Sequence, residues 1–284
     1  MRTFLTFIFF AVFSLSNMAN AQANRFFYEY KFIPNKDSLN KYDTTMTILD
    51  ITSNKSIYRD YLSVSQDSII ESAIEKMKKT GIQADLSKMF KNPKFMYKVQ
   101  KLYPAYEVEY TDLILSDFIS YKEKISFNWK ILNEKEQIGE YKTQKAVCDF
   151  GGRKWTAWFS SEIPFQDGPY KFHGLPGLIV KLQDSDGQFV WELKGNKKMD
   201  NTYNELSLNE RLKNKTPLIV SKQKFTALFN DFKENPLAKV RAKYTAQQLS
   251  EKDPQGETLS QKLDKQEKMI KKMIQSDNNN SIEK

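Results

Sequence analysis

Few residues in this chain carry chemistry of their own. Its 284 residues include one histidine, His173, and one cysteine, Cys148. His173 is the ordinary candidate for a general base near neutral pH. A serine–histidine–acid arrangement would take its nucleophile from Ser160 or Ser161 and its acid from Asp167. No G-x-S-x-G elbow marks either serine, so a structural or simply exposed histidine beside Phe172 and Gly174 is the plainer reading, with a hydrolase using His173 as an alternative. Paired carboxylates are not singled out either, because 35 acidic residues make chance pairs abundant. One cysteine excludes an intramolecular disulfide framework, and one histidine excludes multi-histidine metal sites; no cofactor and no metal are expected. Cys148 falls within a strand pattern, where a buried thiol is expected.

Arg153 and Lys171 offer different chemistry. A guanidinium matches carboxylate geometry and an ammonium supplies a second charge, so the two would form an anion-receiving pair. The structural alternative is that they pair with Glu162, Asp167 or Asp184 and tie loops together. With Trp155, Trp158, Tyr170 and His173 they make up the candidate ligand- or partner-binding set.

The elements that must position these residues read mostly as strands. Phe26, Tyr28 and Tyr30 alternate with Glu29 and Lys31. A β-branched run at 44–51 and an alternating run at 57–64 follow. Ile69, Ile70, Ala73, Ile74 and Met77 form one helical stripe that Gly81 would stop. Further strands are predicted at 95–102, 106–115 and 124–131. A hairpin is predicted to turn near 150–153, placing Trp155, Ala157 and Phe159 on one face, and a second hairpin to pair 178–182 with 189–193 across Asp184–Gly187. Phe225, Leu228, Phe229 and Phe232 share one face of a short helix. The fold class expected is β-rich α+β: an antiparallel curved sheet, sandwich or open barrel with a few helices.

The ends differ in character. Residues 1–23 hold Arg2, an apolar run at 5–15 and small residues up to Ala21 and Ala23, the pattern of a secretory signal peptide. The apolar run is too short to span a bilayer, so no membrane span is expected in the mature chain. One β-rich domain is assigned to 24–234. A charged tail at 235–284 is expected to be partly helical, broken at 253–256 and disordered at its end.

The middle of the chain carries a recognisable pattern. It comprises Tyr141, Gln144, Lys145 and Ala146, then Gly152-Arg153, Ala157-Trp158-Phe159, Ile163-Pro164, Gly168-Pro169 and Lys171-Phe172. It closes with Gly174-Leu175-Pro176-Gly177-Leu178-Ile179 and Asp184. This run resembles the GLPGLI family of exported Bacteroidetes proteins. The resemblance implies export, a β-rich fold and an envelope setting, and supplies no reaction. Members often carry cysteine where this chain has Thr143, so no role for that thiol transfers. Independently of the resemblance, Pro176 fixes φ while Gly174 and Gly177 allow tight backbone approach. The hexapeptide then reads as a structural turn whose Leu175, Leu178 and Ile179 enter the core; a rigid rim presenting Tyr170, Lys171 and His173 is the alternative.

The net charge of +9 is dispersed, and an exported chain is a poor nucleic-acid partner, so none is expected. The functional expectation is a non-enzymatic binding or accessory protein of the bacterial envelope. It would be periplasmic or otherwise secreted, with an envelope protein as partner. The alternative is a carrier of an apolar or peptide ligand in a curved-sheet pocket.

Overall fold

The computed structural model describes residues 23–82, 91–114, 117–199, 203–213, 216–277 and 279–283. The expected signal peptide lies outside them except for Ala23. The described strands are β1 (Asn24–Phe32), β2 (Asp43–Ile51), β3 (Lys55–Asp60), β4 (Lys98–Leu102), β5 (Glu107–Ile114) and β6 (Asp117–Lys124). After these come β7 (Lys130–Ile138), β8 (Tyr141–Phe150), β9 (Arg153–Ser160), β10 (Leu178–Asp184), β11 (Phe189–Lys198) and β12 (Leu218–Ile219). All lie in one sheet in the order β12-β6-β5-β4-β3-β2-β1-β11-β10-β9-β8-β7. It consists of two antiparallel meanders, β1 to β6 and β7 to β11, joined where β1 pairs with β11; only β12 runs parallel to its neighbour. The fold is therefore α+β and dominated by a large antiparallel sheet.

Period-two alternation sets the two faces. Phe26, Tyr28 and Tyr30 are buried on one side of β1 while Glu29 and Lys31 are exposed on the other. Trp155, Ala157 and Phe159 are buried together, as predicted, and Lys181, Leu182 and Gln183 pair with Glu192, Trp191 and Val190 across the predicted hairpin. One core joins Tyr28, Tyr58, Val99 and Val108 of the first meander to Ala146, Trp155, Leu182 and Trp191 of the second. The segment 161–177 fills the space between them, with Phe172, Leu175 and Tyr170 in that same core. A single sheet face can meet one loop from both halves only if the sheet curls around it.

Two stretches depart from the sequence reading. The strand expected over 57–64 ends at Asp60, and α1 (Leu62–Ser65) leads into α2 (Asp67–Thr80). Gly81 caps α2 with φ 68°, as its position implied. The strand expected over 124–131 divides instead: β6 ends at Lys124 and β7 begins at Lys130. Between them, Phe127 leaves the ladder to pack on Phe172 at 5.1 Å, and the Trp129 indole donates to the carbonyl of His173 at 2.9 Å. Burying two large rings against the central loop outweighs continuing an edge strand.

The remaining helices are α3 (Leu208–Lys213), α4 (Lys222–Glu234), α5 (Ala238–Arg241), α6 (Ala246–Ser250) and α7 (Leu259–Asp277). Helix α4 packs Phe225, with Leu228, Phe229 and Phe232, against Ile114, Ile119 and Tyr121 of β5 and β6. The tail is helical and interrupted at the predicted turn, where Gly256 has φ 83°. Residues 279–283 lie against the sheet, and Ile282 is buried in the main core.

Candidate peptide-receiving groove

The turn at 174–177 is the starting point of the site. Gly177 has φ 150°, and a Cβ there would lie 2.1 Å from the carbonyl oxygen of Ser160. Only glycine allows the chain to pass so close to β9 before Leu178 opens β10. Leu175, Leu178 and Ile179 are fully buried, so the hexapeptide braces the core as read from sequence. Below it, fully buried Lys101 of β4 pairs with Asp167 at 2.5 Å and donates to the carbonyls of Gly168 at 2.6 Å and Tyr170 at 3.0 Å. Tyr103 donates to the second oxygen of Asp167. Burial lowers the Lys101 pKa against the opposing pull of Asp167. One buried cation thus folds the loop by collecting its carbonyls.

The loop aims Lys171 into a cage. The side chain of Lys171 has no solvent exposure, and its Nζ donates to Tyr121 Oη at 2.8 Å and to Glu123 at 2.5 Å. Its charge sits 5.2 Å from the rings of both Tyr110 and Tyr121. A second carboxylate, that of Glu283, completes the set by pairing with Lys171. Tyr170 Oη also donates to Glu283 at 2.7 Å, and Lys222 of α4 approaches it at 3.3 Å. Burial works to raise the Glu283 pKa, but Lys171, Tyr170 and Lys222 outweigh it and hold the carboxyl below its usual value.

Arg153 forms the other end. Its Nη1 pairs with buried Asp184 at 2.9 Å and reaches Gln188 at 3.2 Å, while its guanidinium lies 4.6 Å from the ring centre of Phe189. Its Nη2 donates to Asn280 Oδ1 at 2.8 Å and to the carbonyl of Ser281 at 2.9 Å. Asn280 in turn donates to the carbonyl of Ile33 at 2.9 Å. Between the two cations the β8–β9 turn places Gly151 under the chain: a Cβ there would lie 2.9 Å from Glu283 Cα. Gly151 has φ 59°, so the tight turn and the close approach need the same residue. The two readings of Arg153 and Lys171 therefore coexist: Arg153 is held by Asp184, and both cations receive the C-terminal segment.

The other candidates lie elsewhere. Trp155 is in the aromatic core, 4.8 Å from Phe172, and so is not on a surface. Trp158 is half-buried on the opposite face, with the Lys145 ammonium 5.8 Å from its ring. His173 does not project from a rim: it is buried, stacked on Tyr106 at 4.7 Å, with Nδ1 2.9 Å from the carbonyl of Lys171. Burial keeps its pKa below the ordinary value. Burial also pushes the Cys148 thiol up to about 12, far from a thiolate. Among the described residues no cluster of three or more metal-ligating side chains occurs. Sequence reasoning placed Gly151 in the hairpin turn but missed its approach to Glu283, and it missed Tyr121, Glu123, Lys222 and residues 279–283; the apolar Ile282 within a polar terminus was a signal present.

Comparison with known proteins adds a short local match and a likeness of fold. Residues 152–181 match the family described as "Protein of unknown function (Porph_ging)". No curated protein matches the chain. Among solved structures the chain is similar to PNGF-II in a C2 crystal form, with TM-score 0.51 and 16% identity over 74% of this chain. A P21 form of PNGF-II gives TM-score 0.50 and the same identity. The chain covers 33% of PNGF-II, and the likeness at this identity is one of fold.

Proposed function

We propose that the protein is an exported, non-catalytic binding protein of the bacterial envelope, acting as an accessory subunit of a periplasmic or outer-membrane protein complex, and that it is a GLPGLI-type protein. The observation that carries this reading is the packed interior. The curl of the sheet is filled by 161–177, and Tyr30, Phe95, Tyr97 and Tyr110 leave a hollow of only about 160 Å³ beside it. A reacting substrate would need room near His173, whose ring is stacked on Tyr106 and meets Phe127 in an edge contact. The architecture also occurs as a third of the longer PNGF-II chain, which supports a domain that can serve alongside others.

The carrier reading keeps support from two larger hollows. One of about 350 Å³ lies under α2, lined by Leu62, Ile70, Met96, Phe118 and Leu208, and one of about 370 Å³ is lined by Ile114, Ile119, Val220 and Leu228. Envelope crosslinking of the mature chain, tagged at its N-terminus, tests both readings by mass spectrometry of co-purifying proteins and small molecules. A protein partner retained by the folded His173→Ala variant is expected. A bound apolar molecule with no protein partner would favour the carrier, and loss of the partner in that folded variant would place His173 in the binding surface.

A further inference from the structure

The contacts made by 279–283 are those of a peptide ligand rather than of a structural strand. No ladder pairs them with the sheet; they are held by side chains and single backbone groups. Asn280 gives its amide oxygen to Arg153 and its NH₂ to Ile33 and Gln188. Ser281 offers only its carbonyl to Arg153. Ile282 supplies an apolar side chain to the core, and Glu283 a carboxylate to Tyr170, Lys171 and Lys222.

The receiving groups are assembled without the segment. Arg153 is fixed by Asp184, Gln188 and Phe189, Lys171 by Tyr121 and Glu123, and Gly151 by the β8–β9 turn. Without Glu283, Lys171 and Lys222 would face the single carboxylate of Glu123, leaving a cationic end. The helices that carry the segment hold mainly to one another. Arg241 of α5 pairs with Asp264 at 2.6 Å and Glu267 at 3.2 Å, Lys262 with Asp253 at 2.5 Å, and Lys265 with Glu257 at 2.7 Å. The tail is thus a tethered unit whose tip is seated in a preformed site.

We infer that the groove from Arg153 across Gly151 to Lys171 and Lys222 is a binding site for an acidic peptide segment of a partner chain, with an asparagine followed two and three residues later by an apolar residue and a glutamate. Residues 279–283 are its resident self-ligand. This rests on the binding-protein reading and names its ligand class. Tethering gives the tip a high local concentration, so a free peptide meets an occupied groove in the intact chain. A partner segment enters by displacing it, and the site is open only when the tip is out.

The test uses the fluorescein-labelled peptide of residues 277–284 and fluorescence anisotropy. The acceptors are the mature chain ending at Asp277 and the full-length Ile282→Asp/Glu283→Lys variant, each checked by its melting curve. Both open forms are expected to bind saturably, and the intact chain at least about tenfold more weakly, because its own tip competes. Peptides with the Glu283→Lys or Ile282→Asp change are expected to lose a similar factor. Folded open forms that do not take the peptide would overturn the inference. So would failure of both to fold, which would make 279–283 a strut, or a stable dimer built on exchanged tips, which would give the groove to a second copy. The assay contains no envelope component, so its failure leaves the accessory-subunit reading standing. Peptide binding without any envelope partner would sink that reading alone.

Discussion

Lys171 and Glu283 pair across 112 residues of chain, and the lysine side chain in that pair has no solvent exposure. A buried ammonium is tolerated only when its charge and hydrogens are answered. Tyr121 and Glu123 answer part of that need from β6, and the C-terminus answers the rest. The end of a polar tail is thereby bound to the centre of the domain.

The Lys101–Asp167 pair is predicted to be indispensable. Lys101→Met leaves Asp167 buried without its cation and frees the carbonyls of Gly168 and Tyr170. Breaking a buried pair from one side costs about 3–5 kcal/mol. A urea melt should show that loss, and the double variant with Asp167→Asn should recover part of it.

Two glycines should separate fold from groove. Gly177→Val meets the backbone of Ser160 and should abolish soluble, cooperatively melting protein. Gly151→Ala meets the backbone of Glu283 instead. It should keep a cooperative melt, at a cost of about 1–2 kcal/mol for the left-handed turn, while exposing the C-terminal tip to carboxypeptidase.

Acid should weaken the fold first and then loosen the tip. The Glu283 pKa is depressed, so its contribution is complete above the unfolded value of 4.5 and is lost as pH falls through the lower folded value. His173 is held neutral by burial, so below its unfolded value of 6.5 the unfolded chain takes up the proton first and stability falls. Asp112, raised to about 7 by burial, is protonated first in the folded chain and opposes the His173 loss over the same range, while Glu210, also depressed, shares the acid limb. The two effects are therefore read as differences from the parent: His173→Ala should flatten the fall that begins below 6.5, and Glu283→Gln should reduce the fall below 4.5.

His173→Ala should otherwise behave as a packing change. The stack on Tyr106 is lost, with a stability cost of about 1–3 kcal/mol typical of a buried truncation. Binding of the 277–284 peptide to the open forms should stay within a factor of about three, under 1 kcal/mol. A larger loss in a folded variant would place the imidazole in the binding machinery.

Local pattern was enough for most of the strands. The alternation at 26–31, the hairpins around 150–153 and 184–187, and the stripe ending at Gly81 all depend on residues near one another in sequence, and each appears where the pattern put it. The core role of Leu175, Leu178 and Ile179 was legible for the same reason. The break between β6 and β7 was not, because Phe127 and Trp129 leave the ladder for a loop more than forty residues downstream. Nor was the buried state of Tyr170, Lys171 and His173, since a polar side chain reads as exposed until its partners are known. Composition marked 279–283 as a solvated end. The tertiary structure seats it because Arg153 and Lys171, separated in sequence, converge on residues 280–283, which pass over Gly151. Periodicity records which face a residue takes; only folding decides which distant charges that face will meet.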